Sequence, residues 1–510
     1  MKHQSLWRFW QNTLVLSVTA IVMRSVSLSF NLYLRGVLGE EGIGLFSLVM
    51  NLFSFAVTLA TGGVSLLTTR LVSEALGEGR KGDARSALQK CRRYALFFGI
   101  LSFLLLFSAA RPLSRYLLGD IRTLPSLKAL AVSLPFLSLS SVYGGYFTAV
   151  RRVVKSAAVQ LGEQFCRIVF TVFAFTYFAP KDLTSLCLFV VLGAVVSDIL
   201  SCLCSFLLAL LDEKRHLKEN KTPLPKAYNK KLLSIALPVA FSAYFRSALV
   251  TVEHLLIPKG LVRFGLSQGD ALAAFGVLEA MALPVLLFPY ALLTPFCSLL
   301  VPEVAGNTAA GNQDEIRDVA GFAISFTAAL GIGTATVFLA LSSSIGKVLC
   351  QNAEAGKLIF ALAPLLPIMY TDTAVDSILK GGGEQLYTMR VNLFDSILGV
   401  LLALITVPRF GLYGYVFNII FCEVVNFAFS LTRLYQKAPP RLSYLTLLAL
   451  PLSSAALAAV LFRTLSKNAV IETKPSLFAA ILILSVFYLS FLTLARCLFS
   501  RKTKKQPVRA

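Results

Sequence analysis

The sequence predicts an all-α, polytopic membrane protein with about 14 transmembrane helices, arranged as two pseudo-symmetric bundles of six and two further C-terminal helices. Of its 510 residues, 56% are hydrophobic and 15% are charged, and the mean hydropathy is +0.74. Soluble domains are about one-quarter charged, so this composition excludes a soluble protein. Apolar runs of about 18 residues or more recur from end to end, and each can cross a hydrocarbon core of about 30 Å.

The apolar runs set the topology. They lie near 12–34, 43–69, 94–110, 124–150, 157–178, 185–211, 233–257, 271–301, 318–341, 358–379, 391–407, 411–432, 443–462 and 475–495. Both termini then share one side, and that side holds most of the 48 Lys and Arg residues. By the positive-inside rule it is cytoplasmic, and we expect a plasma-membrane protein with both termini inside. The net charge of +22 thus reflects topology and attraction to lipid headgroups rather than nucleic acid, for which no basic soluble domain exists.

A weak internal repeat predicts that the two bundles of six helices form two related lobes. Glu163 and Asp395, like Arg85 and Arg317, are separated by 232 residues. A repeat of six helices gives both copies the same orientation, related by an axis along the membrane normal. Because the longest polar, proline-bearing stretch lies near 212–231, we divide the chain into an N-lobe (1–221), a C-lobe (222–436), two extra helices (437–500) and a basic tail (501–510).

The connections between spans carry further predictions. A Gly-rich outer turn at 35–44 joins spans 1 and 2, and a short basic connection at 151–155 makes spans 4 and 5 a tight hairpin. In the basic segment 70–93, apolar residues at near-helical spacing predict short amphipathic pieces at the membrane surface, or else a solvated loop. Three prolines predict that span 8 is broken and can bend, and they are Pro284, Pro289 and Pro295.

Two arginines in the middle of apolar spans are the main candidate site. An ionisable group at the bilayer centre costs at least about 2.5–3.5 kcal/mol on insertion scales, so each one is a functional hypothesis. Arg24 in span 1 and Arg246 in span 7 occupy similar depths in the two repeats. Arginine stays protonated and its planar fork suits phosphate, so the pair predicts a pyrophosphate site. Alternatively, each arginine pairs with a buried acid, and those available are Glu163, Asp198, Glu253, Glu279, Asp395 and Glu423.

Several of these acids could also serve ion coupling. Glu253 follows Arg246 by about two helical turns and could be its charge partner or a proton-linked acid, as could Glu163 and Asp395. Asp372 and Asp376, four residues apart, could bind a cation, line the outer vestibule or mark a solvated helix end. Arg167 follows Glu163 by four residues, which favours an i,i+4 ion pair. Tyr244, near Arg246, could assist a sugar.

The sequence does not predict an enzyme. It contains no Ser/His/Asp arrangement, no acidic metal motif and no phosphate-binding P-loop, and its outer connections are short. Most of the nine cysteines lie within apolar spans, where cysteine acts as a small hydrophobe. The three histidines are scattered. We therefore expect no disulfide, no metal and no cofactor.

Several short segments in this order resemble the multidrug/oligosaccharidyl-lipid/polysaccharide (MOP) exporter superfamily, and in particular its stage V sporulation protein B and polysaccharide-flippase branch. They include Leu-Gly-Glu-Glu-Gly-Ile-Gly from residue 38, Gly-Gly-Val-Ser from 62 and Arg-Leu-Val-Ser-Glu from 70. The second half adds Pro-Val-Leu-Leu-Phe-Pro from 284, Leu-Leu-Val-Pro-Glu from 299, Ile-Leu-Lys-Gly-Gly-Gly from 378 and Pro-Arg-Phe-Gly-Leu-Tyr-Gly from 408. The resemblance covers nearly the whole chain.

This resemblance implies a MATE-like fold of two six-helix lobes around a cavity, with alternating access. It also implies a substrate such as an undecaprenyl-pyrophosphate-linked sugar or peptidoglycan precursor, moved to the outer leaflet by a protein that we expect to be monomeric. The superfamily's lipid II flippases have arginines in helix 1, where Arg24 lies, and an Arg-Asp pair soon after, where this chain has Phe30 and Asn31.

Two alternatives to a glycan-lipid flippase stay open. The first is a multidrug/cation antiporter of the same fold, which should depend on a buried acid rather than on the arginines. The multidrug branch commonly uses acids in its helices, and span 1 here has none. The second is a non-transporting scaffold in an envelope or sporulation complex, which should depend on the cytoplasmic loops.

Overall fold

A computed structural model of the chain describes residues 2–77, 81–150, 152–178, 180, 182–216, 227–465 and 472–504. Within these ranges every regular element is helical. The helices of the first half are α1 (Lys2–Thr61), α2 (Val64–Gly77), α3 (Lys81–Pro112), α4 (Leu124–Ala149), α5 (Val153–Phe178), α6 (Leu183–His216) and α7 (Ala227–Phe264). Those of the second half are α8 (Gln268–Gly276), α9 (Leu283–Leu286), α10 (Leu293–Ala309), α11 (Gln313–Ser344), α12 (Ala353–Leu362), α13 (Leu366–Gly381), α14 (Gln385–Lys437), α15 (Leu450–Leu465) and α16 (Lys474–Lys504).

Two helices contain a kink at a single glycine. Gly39 in α1 has φ 73° and Gly411 in α14 has φ 62°, a left-handed conformation that glycine adopts without the steric cost of a Cβ. The predicted outer turn between spans 1 and 2 is therefore one kinked residue within a continuous helix. Gly411 likewise forms the connection between spans 11 and 12 within the continuous helix α14.

The helix lengths agree with a polytopic membrane protein. Eleven helical segments of the described chain are long and apolar enough to cross a membrane. Two of them, 22–76 and 385–437, contain the kinks at Gly39 and Gly411 and can each supply two spans. The helix α7 lies outside those eleven, although its 38 residues are long enough to span a bilayer. The observed helices are thus consistent with the predicted count of 14, which stays a prediction.

The predicted break in span 8 is confirmed. After α8 the chain forms a π-helical turn, Val277–Ala282, and then the single turn of α9. A 3-10 turn, Pro289–Leu292, precedes α10. Proline removes backbone donors, which explains why the regular hydrogen-bond ladder fails here. Bending of this span between states stays a prediction.

The chain divides into two compact units, and the first comprises residues 1–262 and 266–276. The second comprises 263–265 and 277–510. This division places α7 and α8 with the first unit, whereas the repeat places them in the C-lobe. The two divisions rest on different criteria, compactness and sequence repetition, and the lobe boundaries stay a prediction. Part of the polar linker, 217–226, lies outside the described residues.

The segment 70–93 corrects one expectation. The predicted helical spacing is confirmed, because α2 runs through residue 77 and α3 begins at Lys81. The protein rather than lipid covers its apolar residues, however: Leu71, Val72, Ala84 and Leu88 are almost completely buried. They pack with residues of α4 and α6 such as Tyr146 in one core of the first unit. An apolar helix face can be satisfied by neighbouring helices as well as by lipid, and periodicity alone does not distinguish the two.

Glycine also permits a close helix contact in the first unit. A Cβ on Gly44 of α1 would lie 1.9 Å from the carbonyl oxygen of Leu272 in α8. A Cβ on Gly276 would lie 2.7 Å from the backbone nitrogen of Gly44. Only glycine therefore fits where α8 crosses the part of α1 that follows the kink.

Candidate functional site

The two intramembrane arginines both lie in the first unit. Arg24 on α1 is half-buried, and Arg246 on α7 is exposed. Within the described part of the chain, neither guanidinium forms an ion pair or a hydrogen bond. The alternative in which each arginine is neutralised by a buried acid thus finds no such pair among those residues. Two cations without internal partners are what an anion-binding site requires.

Next to Arg246, one face of α7 carries polar groups that contact the second half of α1. The Tyr244 hydroxyl donates to the carbonyl oxygen of Leu59 at 3.2 Å, and the Ser247 hydroxyl donates to the Thr58 hydroxyl at 3.1 Å. The Thr251 hydroxyl lies 3.4 Å from the carbonyl oxygen of Asn51. We call Asn51, Thr58, Tyr244, Ser247 and Thr251 the polar seam.

The first two ionisable residues of α7 after the seam are Glu253 and His254. Glu253 is half-buried and interacts with another residue, so it is not a free acid. His254 is half-buried, and its ring centroid lies 6.4 Å from that of Phe275. Its Nδ1 atom is shielded from solvent and has no hydrogen-bond partner among the described residues. The proposed coupling role of Glu253 stays a prediction.

The expected pair of Glu163 and Arg167 is present in α5. Their charged atoms are 3.1 Å apart, and a second carboxylate, Asp198 of α6, is also 3.1 Å from the guanidinium. Arg167 additionally donates to the Ser197 hydroxyl at 3.4 Å. Asp198 is only 3% exposed, so its charge depends on this arginine. The first unit therefore matches its buried acids within α5 and α6 with an internal cation.

In the second unit, four carboxylates come within electrostatic reach of one another. Asp372 of α13 interacts repulsively with Asp376, Glu423 and Asp395. Asp372 is only 8% exposed, and its Oδ1 atom has no hydrogen-bond partner in the described chain. Asp376 is satisfied by Lys380 at 3.3 Å and by the Ser430 hydroxyl at 3.3 Å. We call Asp372, Asp376, Asp395 and Glu423 the acidic cluster.

The acidic cluster modifies the prediction made for Asp372 and Asp376. The pair with Lys380 lies at the end of α13 that leads into the connection between spans 10 and 11. The predicted topology places that connection inside the cell, so it favours a position in the cytoplasmic half rather than in an outer vestibule. Among the described residues, no group of three or more His, Cys, Asp or Glu has the spacing of a metal site.

An ion-pair network ties together the predicted cytoplasmic ends of α4, α5 and α6. The carboxylate of Asp212 accepts from Lys155 at 2.7 Å, from the Tyr146 hydroxyl at 2.9 Å and from Arg152. The side chain of Asp212 is only 1% exposed. The connection between α4 and α5 is short, as predicted, but α4 and α5 pack mainly against α6 rather than against each other, so the tight hairpin is wrong. The cations Arg152 and Lys155 bind an acid of the protein. We call Asp212 with Tyr146, Arg152 and Lys155 the first staple.

The second unit has a similar network with the charges exchanged. Glu384, in the connection that precedes α14, accepts from Arg433 at 2.7 Å and from Lys437 at 3.0 Å, both near the end of α14. The guanidinium of Arg433 also lies 5.0 Å from the ring centroid of Tyr387. These two cations hold the pKa of Glu384 below its ordinary value. We call Glu384 with Arg433 and Lys437 the second staple.

The sequence reading missed the polar seam and both staples. The seam has a recognisable signal, because Tyr244, Ser247 and Thr251 share one helix face at i, i+3 and i+7 in an otherwise apolar span. The staples leave no such signal in the sequence, because their members lie far apart along the chain: Asp212 and Arg152 are 60 residues apart.

Comparisons with known proteins agree with this architecture. Residues 9–262 match the family described as polysaccharide biosynthesis protein. Stage V sporulation protein B of Bacillus subtilis (strain 168) is 23% identical over 418 residues, covering 80% of this chain and 79% of that protein. Sporulation protein YkvU of the same strain is 21% identical over 355 residues, covering 68% and 77%.

Two solved structures show the fold. The lipid II flippase MurJ in an inward closed conformation aligns with a TM-score of 0.74 and 13% identity, over 96% of this chain and 100% of that one. An inward-facing multidrug resistance MATE family transporter of the MOP superfamily aligns with a TM-score of 0.68 and 14% identity, over 83% and 98%. The predicted all-α, MATE-like membrane fold is thus confirmed.

Proposed function

We propose that this chain, which belongs to the MOP exporter superfamily and to its branch around stage V sporulation protein B, is a flippase for lipid-linked glycan precursors. The relatives are described as a lipid II flippase, multidrug transporters and sporulation proteins, and these descriptions favour a transporter over an enzyme. The substrate we infer is a polyprenyl-pyrophosphate, of the undecaprenyl type, that carries sugar.

One observation carries the proposal: Arg24 and Arg246 are intramembrane cations with no internal ion pair among the described residues. A protonated guanidinium in a span is costly to insert, and a bound anion would offset that cost. The pyrophosphate of a lipid carrier has several oxygens that can accept from the planar fork of arginine. Such a ligand would place its sugar in the cavity and leave its polyprenyl chain in the surrounding lipid.

The transport cycle that we infer is alternating access by one lobe moving against the other. The broken span formed by α8, α9 and α10 can supply the bend, because its hydrogen-bond ladder is already interrupted at Val277–Ala282 and Pro289–Leu292. The predicted topology makes the inner leaflet the side of loading and the outer leaflet the side of release. A plasma-membrane location, cytoplasmic termini and a monomeric state belong to this proposal.

The acidic cluster favours a cation or proton as the coupling species, and it is also the observation that favours the second candidate function, a cation-linked antiporter. Lys380 pairs with Asp376, but one cation does not balance four carboxylates, and protons or a further cation would relieve the repulsion of Asp372 by the others. In the flippase, uptake of such a species by Asp372 would bias the second unit between two states. In an antiporter, the same acid would be essential and the two arginines would be dispensable.

The deciding experiment is native mass spectrometry of the purified protein with added undecaprenyl pyrophosphate. We expect Arg24→Ala/Arg246→Ala to bind it about 100-fold more weakly, because two charge-assisted contacts are lost. The variant Arg24→Lys/Arg246→Lys should recover part of the affinity, since it restores the charge without the bidentate fork.

The matched control is Arg463→Ala, which removes an exposed arginine at the end of α15. It should bind the lipid like the wild type. Binding that survives in the double alanine variant, or is lost equally in the Arg463 control, would contradict the pyrophosphate site. If binding survives there while Asp372→Asn abolishes ion-linked transport, the antiporter becomes the better account.

A further inference from the structure

The polar seam has hydrogen-bonding groups that the protein itself does not use fully. The amide nitrogen Nδ2 of Asn51 is shielded from solvent without a hydrogen-bond partner in the described chain, as is Nδ1 of the neighbouring His254. Leaving a buried polar group unsatisfied costs about 1–3 kcal/mol. The unpaired polar atoms of Asn51 in α1 and His254 in α7 could therefore form hydrogen bonds to a ligand.

The bonds within the seam are weak enough to exchange. All are between uncharged groups, at distances of 3.1 to 3.4 Å. Thr58 and Thr251 also donate within their own helices, to the carbonyl oxygens of Ser54 and Ser247. Neutral hydrogen bonds between membrane helices average about 0.6 kcal/mol, so exchanging the bonds between α7 and α1 for bonds to a ligand requires little free energy. The Ser247 hydroxyl could then donate to the ligand, and the oxygens of Thr58 and Thr251 could accept from it.

The position of the seam identifies that ligand. Arg246 precedes Ser247 by one residue, about 100° around the axis of α7, so a pyrophosphate held by this exposed arginine would lie at the edge of the seam, and its sugar would reach the seam once α7 has moved away from α1. Hydroxyl and amide groups are suited to sugar hydroxyls, and the Tyr244 ring offers an apolar face to sugar C–H groups. From Tyr244 to Thr251 the helix rises about 10 Å, which is the length of a disaccharide.

On the basis of the proposed flippase function, we propose that the polar seam is the sugar-binding part of the site and determines selectivity for the glycan. The arginines would bind every polyprenyl pyrophosphate, whereas Asn51, Ser247 and Thr251 distinguish a carrier that bears sugar from a bare one. The sugars would extend along α7 from Arg246 towards Thr251, in the direction that the predicted topology assigns to the outer leaflet.

The test uses two probes, undecaprenyl pyrophosphate and undecaprenyl pyrophosphate bearing a disaccharide, titrated against the full-length protein by native mass spectrometry. Wild type should bind the sugar-bearing lipid more tightly. Ser247→Ala/Thr251→Val should weaken that lipid by about threefold to tenfold while changing the bare carrier by less than about twofold. The control is Thr176→Val, because that exposed hydroxyl donates only to Val172 of its own helix and should change neither affinity.

The outcomes separate this inference from the function on which it rests. Equal weakening of both lipids would show that the seam only keeps α7 against α1, and unchanged affinities would show that it does not contact sugar; either result overturns the inference. A wild type that binds neither lipid would instead overturn the flippase function, and this inference with it. Thermal unfolding of the seam variant in detergent should match the wild type, and an Asn51→Leu variant provides a second, independent change on α1.

Discussion

The two compact units treat buried charge in opposite ways. In the first unit, Arg167 neutralises Asp198 and Glu163, whereas Arg24 and Arg246 have no ion pair among the described residues. In the second unit, Arg433 and Lys437 are engaged by Glu384, whereas Asp372 has an unsatisfied oxygen among other acids. This difference supports the proposal of an anion site in the first unit and of a cation or proton site in the second.

The two staples also carry opposite signs at positions that the predicted repeat relates. Glu384 lies 232 residues after Arg152, which is the separation of that predicted repeat. In the first staple the connection is basic and the helix end is acidic, and the second staple has the reverse arrangement. The first staple joins three helices, whereas the second joins the connection before α14 to the end of α14, and both do so by ion pairs, so either polarity can perform this structural task. They differ in burial, because the side chain of Asp212 is 1% exposed and that of Glu384 is 18% exposed.

The largest effect on stability should come from the first staple. Asp212→Ala removes the acid that Arg152, Lys155 and Tyr146 share, and it deprives the buried Tyr146 hydroxyl of this acceptor. We expect a loss of about 3–5 kcal/mol in the free energy of unfolding, measured by titrating micelles with SDS. Asp318→Ala removes an exposed partner of Arg441 and should cost about 1 kcal/mol or less. Equal losses in the two variants would contradict the role of burial.

The next prediction compares the replacement of a buried aspartate by asparagine in the two units. Asp198→Asn leaves Arg167 with one fewer carboxylate and should destabilise the protein by about 1–3 kcal/mol. Asp372→Asn removes a buried, poorly satisfied carboxylate from a cluster of acids and should stabilise it by a similar amount of about 1–3 kcal/mol. SDS unfolding at neutral pH compares them directly. If the two changes have the same sign, the proposed contrast between the units is wrong.

The smallest effect should come from the second staple, and it depends on pH. Glu384→Gln should cost about 1 kcal/mol or less at neutral pH, since this pair is partly exposed. The pKa of Glu384 is lowered in the folded protein by Arg433 first and then by Lys437, so the carboxylate stabilises the fold above its ordinary pKa of 4.5. The difference between wild type and variant should shrink as the pH falls through the lowered value. A difference that grows on acidification would contradict this assignment.

The sequence by itself determined the membrane class, the all-α fold, the break in span 8 and the pair of Glu163 with Arg167. These features depend on local composition and on spacings of a few residues, which hydropathy and helical periodicity record directly. The arginines Arg24 and Arg246 were visible for the same reason, because a charge within an apolar run is unusual wherever the run lies in the fold.

Only the tertiary structure decided which polar groups meet. It buried Leu71 and Leu88 in a core of the protein rather than against lipid, joined Asp212 to Arg152, and gathered Asp372, Asp395 and Glu423 from three spans. It also aligned Ser247 with Thr58, which lies 189 residues away. The periodicity of apolar and polar residues indicates which helix face is covered. Lipid, protein or ligand can each cover that face, and only the packing of distant helices determines which one does.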